Sequence, residues 1–362
     1  MKRYSFNPNI YQDISCFLIV LISFCFFYSC AGGNDPDNDA LPKFGIYMPV
    51  DTTITYEKLQ TMNLDTVRIK KWLTDGMIDY YDYSSHLIYL KVDKLSFFPE
   101  VQWFYSIEHS YYWNFWMKKR CPFIVITENK RSYAGIFFSN HGLSKPTPHI
   151  SEIEAFGYAD DIIKIALFDD NLANSDYNLA KDIRETEEIK NSLKSAGLFN
   201  GGLEYKIDDL KIRSADTIEI SASIKNIDRN NLYIFNLRNA LYDALKTRPV
   251  FIFANKDNTT GYRFTFERII TSDLLNSSDE YFKLEKDKSI TFTCTAVCGK
   301  KVISSDYYFY SYFYGERSRF EKDKRVKSDG RVWMGKTRSN YMDINYNTST
   351  GVTIKNKDYK FE

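Results

Sequence analysis

The chain has 362 residues, with 48 basic and 47 acidic side chains and a formal charge of +1. A near-neutral chain lacks the broad positive field that nucleic-acid binding exploits, so nucleic acid is not an expected partner. Its 28 tyrosines and 27 phenylalanines, with few glycines and prolines, favour strands, and its length is enough for two domains of ordinary size.

A short apolar run fills residues 14–28, with Lys2 and Arg3 ahead of it and Ser29 and Cys30 behind. A helix that crosses a bilayer needs about 20 apolar residues, whereas the core of a secretion signal needs about 7 to 15. The run therefore predicts a cleaved leader over residues 1–29. Its loss removes Lys2, Arg3 and Asp13 and leaves 46 charges of each sign. Residues 30–42 are rich in Gly, Asn, Asp and Pro and read as a flexible acidic tether. Asp35, Asp37 and Asp39 have the opening spacing of an EF-hand, but Ala40 stands where the turn glycine is needed and Ile46 where the glutamate is needed.

The leader, Cys30 and the acidic tail together resemble Bacteroidetes-type outer-membrane and surface lipoproteins, whose lipid-acceptor box is permissive enough to admit Phe27 and Tyr28. The resemblance covers about the first 40 residues and concerns address, not activity. It implies lipidation of Cys30 and attachment to the outer membrane, at the cell surface or the periplasmic face. Ala31 is not the aspartate that retains such proteins in the inner membrane.

Residues 43–199 read as a β-rich α+β domain. Strands are expected at 45–48, 66–70, 87–92, 123–127, 132–138, 150–156 and 162–168, with a hairpin loop at residues 128–131. One helix follows. Asp182 caps it, Glu185 completes a capping box, and Ile189, Leu193 and Ala196 share a face. Gly197 stops the helix and Leu198 closes a Schellman contact. Asn200, Gly201 and Gly202 mark the boundary to the next domain.

Residues 203–362 alternate at period two. Ile218, Ile220, Ala222 and Ile224 share one strand face, as do Tyr262, Phe264 and Phe266, and again Ile290, Phe292, Cys294, Ala296 and Cys298. Gly299 and Lys300 predict a tight type II′ turn into a strand over 302–314. A short helix is expected at 237–245. The stretch 281–293 resembles the end strands of immunoglobulin-like sandwiches, so the whole chain reads as mainly β: an N-terminal α+β domain with one C-terminal helix, then an immunoglobulin-like β-sandwich.

Chemistry-bearing motifs are sparse. Cys294 and Cys298 lie four apart on one strand, about 13 Å between Cα atoms, whereas a disulfide spans less than about 7 Å. Both read as small buried hydrophobes. Cys121 lies beside Lys119 and Arg120 but enters a strand core. Asp79, Asp82 and His86 read as a capped turn before a strand rather than as metal ligands, so no metal and no cofactor is expected. Glu152 and Glu154 project from one strand face about 7 Å apart, loosely within glycosidase spacing, but read as a solvent-facing surface. With no nucleophile elbow or phosphate loop, no catalytic residue is assigned.

The aromatic clusters offer flat rings for stacking on sugars or on a protein partner. Trp103, Trp113 and Trp116 form one set, and Tyr308, Tyr310, Tyr312 and Tyr314 line one face of a strand. The reading is a membrane-tethered, non-catalytic binding or accessory module whose partner is a glycan or an envelope protein. A glycan-acting hydrolase and a fimbrial subunit are the alternatives.

Overall fold

Residues 122–127 form an apolar run broken only at its end by Thr127, and every one of them is buried. A strand shows alternate side chains to opposite faces, so such a run requires cover on both sides. The computed structural model describes residues 42–93, 122–128, 130–137, 151–154, 158–167, 182–236, 249–256, 261–272, 279–315 and 322–359. It supplies that cover with two helices. Phe123 and Val125 pack with Ile189 and Leu193 of the helix Glu187–Ser195, while Ile124 and Ile126 pack with Leu59 of the helix Tyr56–Thr61. We call the helices α1 (Tyr56–Thr61) and α2 (Glu187–Ser195).

The strands of this first sheet are β1 (Phe44–Pro49), β2 (Ile69–Thr74), β3 (Ile78–Asp82), β4 (Leu87–Leu90), β5 (Pro122–Thr127), β6 (Lys130–Phe137), β7 (Ser151–Glu154), β8 (Ile162–Leu167) and β9 (Phe199–Asn200). Their order is β2-β1-β5-β6-β7-β8-β4-β3-β9. The expected hairpin is present, with β5 antiparallel to β6. Three expectations need correction. Residues 64–66 form a 3₁₀ turn rather than the start of a strand, because the Asn63 side chain accepts from the Asp65 amide and winds the chain. Strand β3 was not anticipated. Helix α2 starts later than expected: Thr186, not Asp182, is its N-cap, and its hydroxyl accepts from Ile189 N at 3.3 Å. The predicted Schellman stop is present, with Leu198 N donating to Leu193 O at 2.8 Å and Gly197 N to Lys194 O at 3.0 Å.

The later strands are β10 (Leu203–Ser214), β11 (Thr217–Asn226), β12 (Asn231–Phe235), β13 (Val250–Asn255), β14 (Gly261–Ser272), β15 (Tyr281–Leu284), β16 (Ser289–Val297), β17 (Ser305–Tyr314), β18 (Val326–Lys327), β19 (Gly330–Val332), β20 (Lys336–Arg338), β21 (Tyr341–Asn347) and β22 (Gly351–Tyr359). They make two sheets among the described residues. The larger runs β10-β11-β16-β14-β13-β17-β21-β22 with β20 also on β17, and the smaller runs β15-β12-β19-β18. The molecule is thus mainly β with several sheets. One core joins the two, with Leu232, Ile234 and Leu284 of the small sheet packed among Ile220, Phe253, Phe309 and Ile344 of the large one.

The tight turn expected at Gly299 and Lys300 does not form, because β16 and β17 are not neighbours. The intervening chain turns instead onto the β10–β11 connection. Cys298 N donates to Asp216 O, Val302 N donates to Ala215 O at 2.8 Å, and Val302 is buried. Cys294 and Cys298 are free thiols on strand β16 and its end, the first buried and the second half-buried. The two edges of the large sheet are joined by side chains. Asn340 accepts from Ile207 N at 2.8 Å and donates to Lys357 O at 2.7 Å, and Lys357 Nζ donates to Asp208 O at 2.9 Å.

The described residues fall in one compact unit. No helix among the described residues is long and apolar enough to cross a membrane. Cys30, expected to accept lipid, Cys121, the tryptophans Trp103, Trp113 and Trp116, and the helix expected at 237–245 lie outside the described residues, as do the side chains of Glu152 and Glu154.

Candidate functional site

The turn between β3 and β4 is shaped by its own polar residues. Asp82 Oδ1 accepts from Ser84 Oγ at 2.8 Å and from Ser85 N at 3.2 Å. His86 closes the turn in the left-handed region, φ 54°, a conformation that histidine tolerates better than most residues. Gly335 packs against this turn. A Cβ there would lie 2.7 Å from Ser85 Cβ, and its φ of +95° suits glycine alone.

The turn and its neighbours line a small recess of about 20 Å³, partly open to solvent. Its lining includes His86 of the β3–β4 turn, Asp182 and Glu185 of the chain leading into α2, and Lys336, Arg338 and Tyr312 of β20 and β17. The antiparallel register sets Tyr312 opposite Arg338 and Tyr314 opposite Lys336. Lys336 Nζ lies 3.5 Å from the Tyr312 ring centre and 5.7 Å from that of Tyr314, and the Arg338 guanidinium lies 4.8 Å over Tyr341. The Lys336 pairs run across from β20 to β17 and hold that ammonium along the tyrosine row, while Arg338 lies over Tyr341 at the start of β21.

Asp182 did not become the helix cap because Arg184 captures it. The guanidinium binds the carboxylate as a fork, at 2.6 Å from Nη2 to Oδ2 and 2.9 Å from Nε to Oδ1, and Nη1 donates to Ile165 O at 2.8 Å. Burial by itself raises the carboxyl pKa, but the charge and hydrogen bonds of Arg184 outweigh it and hold Asp182 at about 2. Glu185 sits at the mouth, with its side chain 46% exposed. Burial on its inner side raises its pKa, while His86 and Arg338 bring it net below the ordinary value.

His86 is 4% exposed, and its two ring nitrogens are in different situations. Nδ1 lies 3.0 Å from the Tyr81 hydroxyl, which burial keeps protonated by raising its pKa well above the ordinary value. Nε2 has no hydrogen-bond partner and faces Glu185 Oε1 at 3.6 Å and Asp182 Oδ2 at 4.0 Å, both beyond hydrogen-bond length. The direction of the Tyr81–Nδ1 hydrogen bond depends on the ring tautomer, and Nε2 faces the recess.

The three donors lie within 4.8 Å of one another, close enough to share one ion. Their surroundings oppose a dication: Arg184 already occupies Asp182, and Arg338 adds a second positive charge within electrostatic reach of both carboxylates. Glycoside hydrolysis by a carboxyl pair needs one acid held protonated, whereas Asp182 and Glu185 are both shifted toward the ionised form. Hydrogen bonding to a ligand that both donates and accepts is what this set can do.

Of the expected site residues, Tyr312 lines the recess. Tyr308 and Tyr314 are half-buried and Tyr310 is buried at 4%, because Val250 and Ile252 of β13 and Tyr341 share their face. The row is therefore not an open adhesive strip. The expected turn cluster separates: Asp79 is exposed, Asp82 is fully buried against Arg331, and only His86 reaches the recess. Asp182, Glu185, Lys336 and Arg338 were not identified as site residues from sequence. The visible signals were the competing cap at Thr186 and the alternation Lys336-x-Arg338 that matches Tyr312-x-Tyr314.

No protein-family model matches this chain, and no curated protein matches it. Among solved structures, the chain is similar at 13% identity to a beta-glucosidase from Kluyveromyces marxianus in complex with glucose, with a TM-score of 0.14, covering 40% of this chain and 14% of that one.

Proposed function

We propose that this chain is a lipid-anchored cell-envelope protein, tethered to the outer membrane through Cys30, that acts as a non-catalytic binding module for a glycan. One observation carries the ligand class: the recess combines carboxylate acceptors, guanidinium, ammonium and imidazole groups and a tyrosine ring within one small volume. A sugar presents adjacent hydroxyls that each donate and accept, together with a flat apolar ring face. Adjacent charged donors and acceptors satisfy the first, and an aromatic ring supports the second. Both carboxylates stay ionised, which favours holding a glycan over cleaving it. The resemblance of the leader and tail to surface lipoproteins supports the address. The immunoglobulin-like sandwich belongs to the same reading, supported by the single core between the nine-stranded and four-stranded sheets. The joined edges of the large sheet are a feature that an open sandwich lacks.

Glycan-array binding of the chain without its leader tests the ligand class. At least one envelope or plant-type glycan should bind, and Tyr312→Ala should weaken it about tenfold, the effect of losing one stacked ring and its neighbouring cation. An array with no bound glycan, or a Tyr312→Ala variant that binds as well as the parent, overturns the reading.

A further inference from the structure

Three polar atoms converge on the recess: Nε2 of His86, Oε1 of Glu185 at 3.6 Å from it, and Oδ2 of Asp182 at 4.0 Å from it. All three lie within 4.8 Å of one another. His86 is 4% exposed and its Nε2 has no hydrogen-bond partner, a costly state for a buried polar atom. The separations are too long for direct hydrogen bonds, yet one oxygen about 2.8 Å from each atom spans them. A recess of about 20 Å³ has room for a single such atom, since one water needs about 10 to 15 Å³.

Charge selects among groups of that size. An anion would face two carboxylates that are both shifted toward the ionised form. A dication would meet Arg184, held on Asp182, and Arg338 close by. A neutral hydroxylic oxygen meets neither objection, and its hydrogens match the acceptors. Water donates one hydrogen to each carboxylate and accepts from Nε2–H. An alcohol donates its one hydrogen to Glu185 and accepts from Nε2–H, while Asp182 keeps Arg184 at 2.6 Å. We infer that the recess is a binding site for one hydroxylic oxygen, bridged between His86 and Glu185, and that this oxygen fixes the His86 proton on Nε2. Water and a sugar hydroxyl share this chemistry. The second source rests on the glycan reading above, and the first does not.

A high-resolution crystal structure of the chain without its leader tests the site. One ordered oxygen should lie about 2.6 to 3.2 Å from both His86 Nε2 and Glu185 Oε1. Glu185→Ala, a change at a side chain 46% exposed, should lose that oxygen without unfolding the chain. No ordered oxygen in the parent, or one that persists unmoved in the variant, overturns the inference. So does an atom at metal-ligand distance, about 2.0 to 2.2 Å. The ring-nitrogen NMR shifts of His86 check the proton independently, and the Nε2–H tautomer is expected. The Nδ1–H tautomer, which a metal ion or an ammonium group would select by taking Nε2 as its acceptor, overturns it. A complex with a glycan from the array separates the two sources. A sugar hydroxyl in the site displaces the water, and the analogue deoxygenated at that position should bind about tenfold more weakly. Retained water assigns the site to solvent, and either result keeps the oxygen in place. A chain that binds no glycan yet holds the oxygen removes the glycan reading and leaves this inference standing.

Discussion

Asp182 and Arg184 are two positions apart, and their pairing decides what the segment before α2 does. In sequence, Asp182 and Glu185 satisfy the pattern of a capping box. In the fold, a buried guanidinium outcompetes the amide at the helix start, because a charged fork binds a carboxylate more strongly than a neutral N–H does. Thr186 then takes the cap. The consequence can be measured with pH. The carboxyl of Asp182 is depressed to about 2 in the folded chain, against about 3.9 unfolded. Its contribution is therefore fully present above about pH 4 and is lost as pH falls toward 2, a total on the order of 2 kcal/mol. Urea denaturation between pH 5 and pH 2.5 should show that loss in the wild type, and Asp182→Asn should flatten that part of the profile while lowering stability at pH 7. Parallel profiles for the two proteins would rule the pair out as the source.

Elements hold the site through their ends rather than their middles. Helix α2 carries Asp182, Arg184 and Glu185 on its approach, and its far end must stop where β9 begins. Gly197 makes that stop at φ +71°, with no atom within 4 Å of the position a Cβ would take. The cost of any side chain there is backbone strain alone. Gly197→Ala should lower stability by about 1 kcal/mol, and Gly197→Asn by less, since asparagine visits this region more readily. Thermal melts of the two variants check the order, and a steric cause would reverse it because asparagine is the larger. Strand β20 works in the same way: three residues long, it contributes to the recess only because its register sets Lys336 and Arg338 opposite Tyr314 and Tyr312.

At the scale of the molecule, the first sheet and the later strands are joined by a buried ion cluster. Arg331 donates to Asp82 and to Asp228, each at 2.6 Å, and lies over the rings of Tyr80 and Tyr89. Beside it, Arg325 pairs with Asp161. Burial pushes the Tyr80 hydroxyl up to about 12, so it stays neutral beside these charges. Removing Arg331 leaves the two carboxylates, Asp82 and Asp228, buried without their cation. Arg331→Met should therefore cost about 3 to 5 kcal/mol, more than Arg331→Met combined with Asp82→Leu and Asp228→Leu, in which no charge is stranded. Denaturant midpoints decide between the two. If the triple variant is the less stable, the cluster is a net source of stability rather than of specificity.

The local rules of the chain were visible in its residues. The run 122–127, the period-two faces at Ile218–Ile224 and Tyr262–Phe266, and the Gly197 stop all follow from the spacing of apolar residues and the conformational range of glycine, which depend on neighbours in sequence. The turn at Gly299 and the cap at Asp182 were misread because each had a partner far along the chain: Ala215 and Asp216 in one case, and the buried site around Arg184 in the other. The recess belongs to the same class. His86, Asp182, Glu185, Lys336 and Arg338 span about 250 positions of sequence, and no spacing rule links them. Only the packing of the β3–β4 turn against Gly335, and the pairing of β17 with β20, brings their charges within range of one another, because electrostatic and hydrogen-bond energies depend on distance in space and not on distance along the chain.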